Sequence, residues 1–193
     1  NSRRKGHLDL YQKASSGADA EEELLADDGD KSPVDWSPDG RFILFSVSAP
    51  KTGRDLWALP LFGDRKPALF LQTPSDEFAG RFSPDGRWTA YESNESGRSE
   101  VYVGPFPGPG GKWQVSTGGG NSPLWAPDGQ ELFYLGEDNS VMSVSVETKP
   151  ALRFGTPKML FKSTNLGLTI TSGHPWDIHP DGKKFLMLRK AGT

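Results

Sequence analysis

Two histidines near the C-terminal end of the sequence are the first candidates for chemistry. His174 and His179 flank Pro175-Trp176-Asp177, and imidazole nitrogens could bind a metal ion or an anion. Two histidines without a nearby third ligand are a weak metal motif, and His179 is also the first residue of a Pro-Asp-Gly turn. We therefore predict a turn or loop here and no metal site.

An acidic run and a glycine-rich stretch are the next candidates for binding chemistry. Residues 19–30 are rich in carboxylates, but a calcium loop that starts at Asp28 would have Pro33 at its sixth position, where glycine is required. Residues 104–113, GPFPGPGGKW, resemble a phosphate loop only superficially, because Phe106 stands where the first glycine should be. Two prolines also remove backbone donors. We predict no cofactor at either place.

Motifs of hydrolases and kinases are missing from the sequence. It contains no Gly-x-Ser-x-Gly elbow, which would carry a nucleophilic serine. It also contains neither His-Arg-Asp nor Asp-Phe-Gly, which protein kinases use. We predict that the chain is not an enzyme, has no catalytic residues, and that any catalysis belongs to a domain outside it.

Composition narrows the range of partners. The 193 residues are 34% hydrophobic with a net charge of -3, and no basic stripe suggests binding to nucleic acid. Zero cysteines exclude disulfides and thiolate metal sites. No run approaches the roughly 18 apolar residues of a spanning helix, so we expect no membrane insertion of this segment.

One short motif occurs four times and indicates how the chain is organised. The sequences WSPDGRFILF, FSPDGRWTAY, WAPDGQELFY and IHPDGKKFLM each place a tight turn between an apolar residue and an apolar run. The turn aspartates are 46, 43 and 53 residues apart, a period typical of propeller blades or helical arrays. We interpret the turn residues as structural: Pro38, Asp39, Gly40, Pro84, Asp85, Gly86, Pro127, Asp128, Gly129, Pro180, Asp181 and Gly182.

A second repeated landmark favours propeller blades. Asp9-Leu10-Tyr11, Asp55-Leu56-Trp57 and Glu100-Val101-Tyr102 are short β-type segments 46 and 45 residues apart. Each unit then contains four strands, the number in a propeller blade. Residues 18–27 alone have high helix propensity, but their register matches the fourth strand of other units, so we predict a strand there.

We predict an all-β fold, a β-propeller of four-stranded antiparallel blades with three complete blades and two complementary half blades. The expected boundaries are 1–30 for a half blade, 31–76, 77–119 and 120–172 for blades, and 173–193 for the other half blade. A half blade exposes unpaired strand edges, so a homodimer through the half blades is expected if they do not close within one chain. We also expect the chain to be a piece of a longer polypeptide, since a start inside a blade is an unusual natural beginning.

The repeated W-S-P-D-G-R motif, the pattern in residues 2–11 and the stretch at 93–120 resemble the TolB-type, WD-like β-propeller. More narrowly, they are similar to the C-terminal propeller of bacterial membrane serine/threonine kinases, especially the acidobacterial type. This resemblance covers essentially the whole chain. It implies a non-catalytic sensor or protein-interaction module with an extracytoplasmic or periplasmic location.

Asymmetry among the repeats indicates where a protein or peptide partner would bind. The loops that enter the first strand of each blade differ in sequence, and binding residues concentrate on loops held by a rigid scaffold. The candidate contacts on them are Phe78, Asn121, His174 and Trp176. Packing of the two aromatic residues between blades is the alternative.

Two classes of function fit the sequence. The first is a protein-interaction or ligand-sensing module of a larger receptor-like kinase or TolB-like protein. The alternative is the gating propeller domain of a peptidase of the prolyl oligopeptidase family, in which similar blades precede a hydrolase domain. A nucleophile elbow downstream of the chain would favour the peptidase, and a kinase domain upstream would favour the receptor.

Overall fold

The computed structural model describes residues 7–108, 110–163 and 176–188. Within these ranges all regular structure is β-strand, which confirms the predicted all-β class. No helix among these residues is long and apolar enough to cross a membrane.

The chain begins with a two-stranded antiparallel sheet. It consists of β1 (Leu10–Gln12) and β2 (Glu22–Leu25). β2 falls inside the segment of high helix propensity, so its place in the repeat outweighs its local preference. The reason is packing, because Leu10 and Leu24 are buried against Ile43, Phe45 and Leu59 of the next sheet.

The second sheet has four antiparallel strands in chain order. They are β3 (Lys31–Trp36), β4 (Phe42–Ala49), β5 (Gly53–Pro60) and β6 (Ala68–Leu71). The third sheet repeats this order with β7 (Glu77–Phe82), β8 (Trp88–Ser93), β9 (Glu100–Pro105) and β10 (Trp113–Gln114). Both are four-stranded blades.

The fourth sheet contains one strand more than expected. β11 (Asn121–Trp125), β12 (Glu131–Leu135), β13 (Ser140–Glu147) and β15 (Lys158–Lys162) correspond to the four strands of a blade. Between the last two lies β14 (Arg153–Phe154), which pairs with the end of β13. The final pair is a separate two-stranded sheet of β16 (Trp176–Ile178) and β17 (Phe185–Met187).

Each Pro-Asp-Gly turn joins a first strand to a second strand. In the first copy the Gly40 N–H donates to the Ser37 carbonyl at 2.8 Å, and Gly40 has a φ of 71°. The Asp39 carboxylate accepts from the Arg41 N–H at 3.0 Å and from the Ser37 hydroxyl at 2.7 Å. These bonds lower the pKa of Asp39. The turn glycine thus supplies a conformation that other residues adopt rarely.

Successive turns contact each other along one side of the molecule. A Cβ added to Gly86 would lie 3.8 Å from Pro38 Cδ, and one added to Gly129 would lie 3.7 Å from Pro84 Cδ. The same spacing holds between Gly182 and Pro127 at 3.8 Å. We call this side, made of the Pro-Asp-Gly turns with Phe42, Phe62 and Phe106 beside them, the turn face.

Apolar side chains between neighbouring sheets form the cores. Val101 and Val103 of β9 pack with Leu132 of β12 and Val144 of β13. Tyr91 and Tyr102, with ring centroids 5.8 Å apart, pack against Leu56 of the preceding sheet. Repeated four-stranded sheets, each packed face to face against the next, are the blades of a β-propeller.

Candidate partner-binding surface

Trp176, predicted as a candidate partner contact, lies in the core. Only 3% of its surface is exposed, and its ring stacks on Phe185 at a centroid distance of 5.2 Å. Its indole N–H donates to the Ser122 carbonyl at 2.8 Å. Packing between sheets, the stated alternative, therefore describes this residue. His174, the candidate beside it, lies outside the described residues.

Phe78 is in a different environment, because it is partly exposed and covered by a cation. The Arg54 guanidinium carbon lies 4.2 Å from the centre of the Phe78 ring. Asp76 fixes Arg54 in two ways, since its carboxylate accepts from the Arg54 N–H at 2.9 Å and lies 3.6 Å from Arg54 Nε. The Arg54 and Asp76 side chains are 47% and 37% exposed, so a partner could reach both.

Glu92 connects Phe78 to the next sheet. It is the cross-strand partner of Phe78, and its carboxylate accepts from the Ser122 N–H at 3.3 Å. The Ser99 hydroxyl also donates to it. Burial raises the pKa of Glu92, against the opposing effects of these two bonds and of the Arg54 charge. Asn121, the second candidate, is partly exposed and immediately precedes Ser122. We call Arg54, Asp76, Phe78, Asn121 and Ser122 the Phe78 rim.

The backbone of the Phe78 rim departs from regular strand geometry. Ala79 has a φ of 52° and Ser122 a φ of 51°, in the left-handed region that non-glycine residues adopt rarely. Ala79 lies where β7 shifts register against β8, and Ser122 lies where β11 shifts register against β12. β3 shifts register against β4 at the corresponding place. Such backbone costs on the order of 1–3 kcal/mol and clusters at binding sites.

The turn face offers a second concave surface. Phe42 and Phe106, whose ring centroids are 5.0 Å apart, line a cleft of about 420 Å³ with Pro38, Pro84 and Pro107. A smaller cleft of about 250 Å³ lies one repeat further along, between Pro84 and Gly129. The turn face follows the repeat and is explained by architecture, whereas the Arg54 and Phe78 side chains of the Phe78 rim have no counterparts in the neighbouring repeats.

The chemistry available at the Phe78 rim is that of recognition. Arg54 can donate to a carboxylate or a carbonyl, Asp76 can accept from a donor, and Phe78 provides apolar area. In the described parts of the chain no group of three or more His, Cys, Asp or Glu residues could hold a metal ion. Sequence reasoning missed Arg54 and Glu92, although Arg54 directly precedes the repeated Asp-Leu-Trp landmark.

No protein-family model and no curated protein matches the chain. The crystal structure of TolB from Acinetobacter baumannii matches with a TM-score of 0.66 at 17% identity, covering 95% of this chain and 43% of that one. A protein from Agrobacterium tumefaciens assigned as TolB matches with a TM-score of 0.63 at 22% identity, covering 85% of this chain and 55% of that one.

A peptidase also resembles the chain. The structure of a puromycin-hydrolyzing peptidase from Mycobacterium tuberculosis has a TM-score of 0.66 at 17% identity, and the match covers 91% of this chain and 31% of the peptidase. The chain thus spans about half or less of each of these proteins. At such identities the likeness shows the fold alone, which is a β-propeller like those of the TolB proteins.

Proposed function

We propose that the chain is a non-catalytic β-propeller module that binds a protein or peptide, or senses a ligand, within a larger receptor-like serine/threonine kinase or TolB-like protein. The proposed units are a half blade at 1–30, blades at 31–76, 77–119 and 120–172, and a half blade at 173–193. An extracytoplasmic or periplasmic location is part of this proposal.

The observation that carries the proposal is the contact between Arg54 and Phe78. Arginine and aromatic residues dominate the binding energy of protein interfaces, and here they form a partly exposed pair. Asp76 holds the arginine in place, so little side-chain freedom is lost on binding. A surface already ordered in this way suits an extended peptide or a protruding loop.

A selection of random peptides on the immobilised chain tests the proposal. Enriched peptides are titrated against the unchanged protein and against Phe78→Ala and Arg54→Ala. We expect each substitution to weaken binding by about tenfold or more, which corresponds to about 1.4 kcal/mol.

The turn face contains a matched control for this experiment. Arg41 lies 4.4 Å from the centre of the Phe62 ring, and Phe62 is 44% exposed, so Phe62→Ala removes a similar arginine–phenylalanine contact elsewhere. We expect binding to be unchanged in Phe62→Ala. Loss of binding in Phe62→Ala with full binding in Phe78→Ala would reject the Phe78 rim as the partner site.

The second candidate function is a gating propeller domain of a prolyl oligopeptidase-family peptidase. The match to the puromycin-hydrolyzing peptidase favours it, because the chain corresponds to only 31% of that protein. Sequencing the reading frame on both sides of this segment separates the candidates. A nucleophile elbow downstream supports the peptidase, whereas a kinase domain and an apolar span upstream support the receptor.

Association of two copies through the half blades is part of the same proposal. The β1–β2 sheet corresponds to the third and fourth strands of a blade, and the β16–β17 sheet to the first and second. One sheet from each of two copies would complete a four-stranded blade. Light scattering that gives only the 21.1 kDa mass of one chain would reject this association.

A further inference from the structure

Three of the repeats bury an acidic residue at the start of the third strand. Asp9, Asp55 and Glu100 occupy this position, and each is 1% exposed. A carboxylate removed from water in this way needs a compensating cation, a set of hydrogen-bond donors or a proton. The three repeats differ in which of these they provide.

The first repeat provides a cation. Lys31, at the start of β3, is 1% exposed, and its ammonium lies 3.5 Å from Asp9 Oδ1. The same ammonium lies 2.5 Å from Asp27 Oδ1 and donates to the Asp27 and Gly29 carbonyls at 3.0 and 2.8 Å.

The second repeat has an acid at the position of that lysine. The two repeats align here, because the Leu8 N–H donates to Asp30 at 2.8 Å and the Arg54 N–H donates to Asp76 at 2.9 Å. The donors of these two bonds are 46 positions apart in the sequence, and so are the acceptors. The same spacing of 46 makes Asp55 the counterpart of Asp9 and Glu77 the counterpart of Lys31.

Glu77 and Asp55 are therefore two buried acids without the cation of the first repeat. Glu77 is 0% exposed and accepts from the N–H and hydroxyl of Thr73. Asp55 Oδ2 accepts from Thr52 and Gln72, both at 2.8 Å. Asp55 Oδ1 is buried and has no hydrogen-bond partner among the residues that the structure describes.

The third repeat provides donors. Glu100 accepts from the Ser116 hydroxyl and from the Gly119 N–H at 2.9 Å, and Arg98 Nε lies 3.3 Å away. The residue at the lysine position is Gly120, which has no side chain. Of the three repeats, only the second combines a buried acid with a second buried acid.

We propose that Glu77 keeps its proton beside Asp55 in the folded protein, and that this proton replaces the ammonium of Lys31 in the second repeat. Both carboxylates are buried and interact electrostatically, and two such groups do not both stay ionised without compensation. A proton requires no cavity, whereas a metal ion requires space and further ligands, and no group of three acidic or imidazole ligands exists in the described ranges.

The charges around Glu77 support protonation. Burial raises the pKa of Glu77, the bonds from Thr73 oppose this, and the charges of Asp55 and Glu95 raise it further. Burial raises the pKa of Tyr91, from β8, so this neighbour also stays uncharged. Nearby Arg54 pairs with Asp76 and lies on Phe78.

The Glu77 proton ties the order of the Phe78 rim to pH. Thr73, which binds Glu77, also accepts from the Ser75 N–H at 3.1 Å, and Asp76 follows directly. Loss of the proton places two like charges under the segment 73–76. We expect this segment to become less ordered as pH rises, and with it the position of Arg54. The proton would exist whether or not the Phe78 rim binds a partner.

Unfolding measured against pH in the unchanged chain and in Glu77→Gln tests the proposal. The folded-state pKa of Glu77 is raised above 4.5. The protonated carboxyl therefore stabilises the folded chain fully below about pH 4.5, and this stabilisation is lost as pH rises through the folded-state pKa. Relative to Glu77→Gln, the folded-to-unfolded ratio of the unchanged chain should fall by up to about tenfold per pH unit in that window. Glu147→Gln, at an exposed position, is the control.

Carboxyl ¹³C NMR gives a direct second measurement on the folded chain. As pH rises above 4.5, we expect the Glu77 resonance to stay at its protonated position after ordinary carboxyls have ionised, because its pKa is raised. In Asp55→Asn, the remaining Glu77 carboxyl should titrate closer to 4.5. The proposal is overturned if the Glu77 resonance moves to its ionised position together with ordinary carboxyls, or if the pH profiles of the unchanged chain and Glu77→Gln are parallel.

Discussion

Lys31→Met removes the buried ammonium between β2 and β3 while leaving a side chain of similar length. Asp9, 1% exposed, then keeps a carboxylate that has lost its cation among the described residues. Breaking one side of a buried ion pair costs about 3–5 kcal/mol. Asp27 adds little, because its side chain is 58% exposed and water can replace the lysine.

We therefore expect Lys31→Met to lower the free energy of unfolding by about 3 kcal/mol. For a chain of this length, about 3 kcal/mol corresponds to a fall in Tm of about 6–12 °C. Differential scanning calorimetry with urea titration measures both quantities. The double substitution Lys31→Met with Asp9→Asn should recover part of the loss, because it also removes the uncompensated charge.

Lys162→Met is the matched control for this prediction. Lys162 lies 2.6 Å from Asp138, but the two side chains are 59% and 53% exposed, so this exposed pair is worth less than about 1 kcal/mol. Equal losses in Lys31→Met and Lys162→Met would refute the reasoning that burial, and not the ion pair as such, sets the energy.

Three further substitutions test other parts of the structure. Trp176→Ala should lower stability by about 3–5 kcal/mol, measured in urea, because it empties a core position; a loss below about 1 kcal/mol would contradict its burial. Gly80→Ala places a Cβ against a side chain of the preceding sheet and should cost about 1–3 kcal/mol, whereas Gly111→Ala meets nothing and should cost far less. Ser37→Ala should raise the pKa of Asp39 toward 3.8, which an NMR titration measures. The stability that ionised Asp39 gives to the turn should then be lost at a higher pH than in the unchanged chain when the solution is acidified.

The local parts of the fold could be predicted from the sequence. Pro-Asp-Gly turns, apolar alternation and the repeated Asp-Leu-Tyr landmark depend on neighbours in the chain, and each recurred often enough to fix a register. Register also identified β2 as a strand against its own helix propensity. The strand β14 was missed, because two residues, Arg153 and Phe154, show no periodicity.

The candidate surface was harder to predict, because it depends on contacts between distant residues. Phe78 and Trp176 both belong to first strands, but one lies under Arg54 and the other between sheets. The alternation of apolar and polar residues in these two strands does not distinguish a partly exposed aromatic residue from a buried one. Lysines are rarely buried, so no sequence pattern indicated that Lys31 lies in an ion pair closed to water.

The central claim, that the Phe78 rim binds the partner, is tested most directly by mapping a selected peptide on the labelled chain by NMR. We expect the largest shift changes at the backbone amides of Arg54, Asp76, Phe78, Asn121 and Ser122, with the cross-peaks of the turn face unchanged. Shifts confined to Asp39, Phe62, Asp85 and Phe106 would contradict the account and assign binding to the clefts of the turn face.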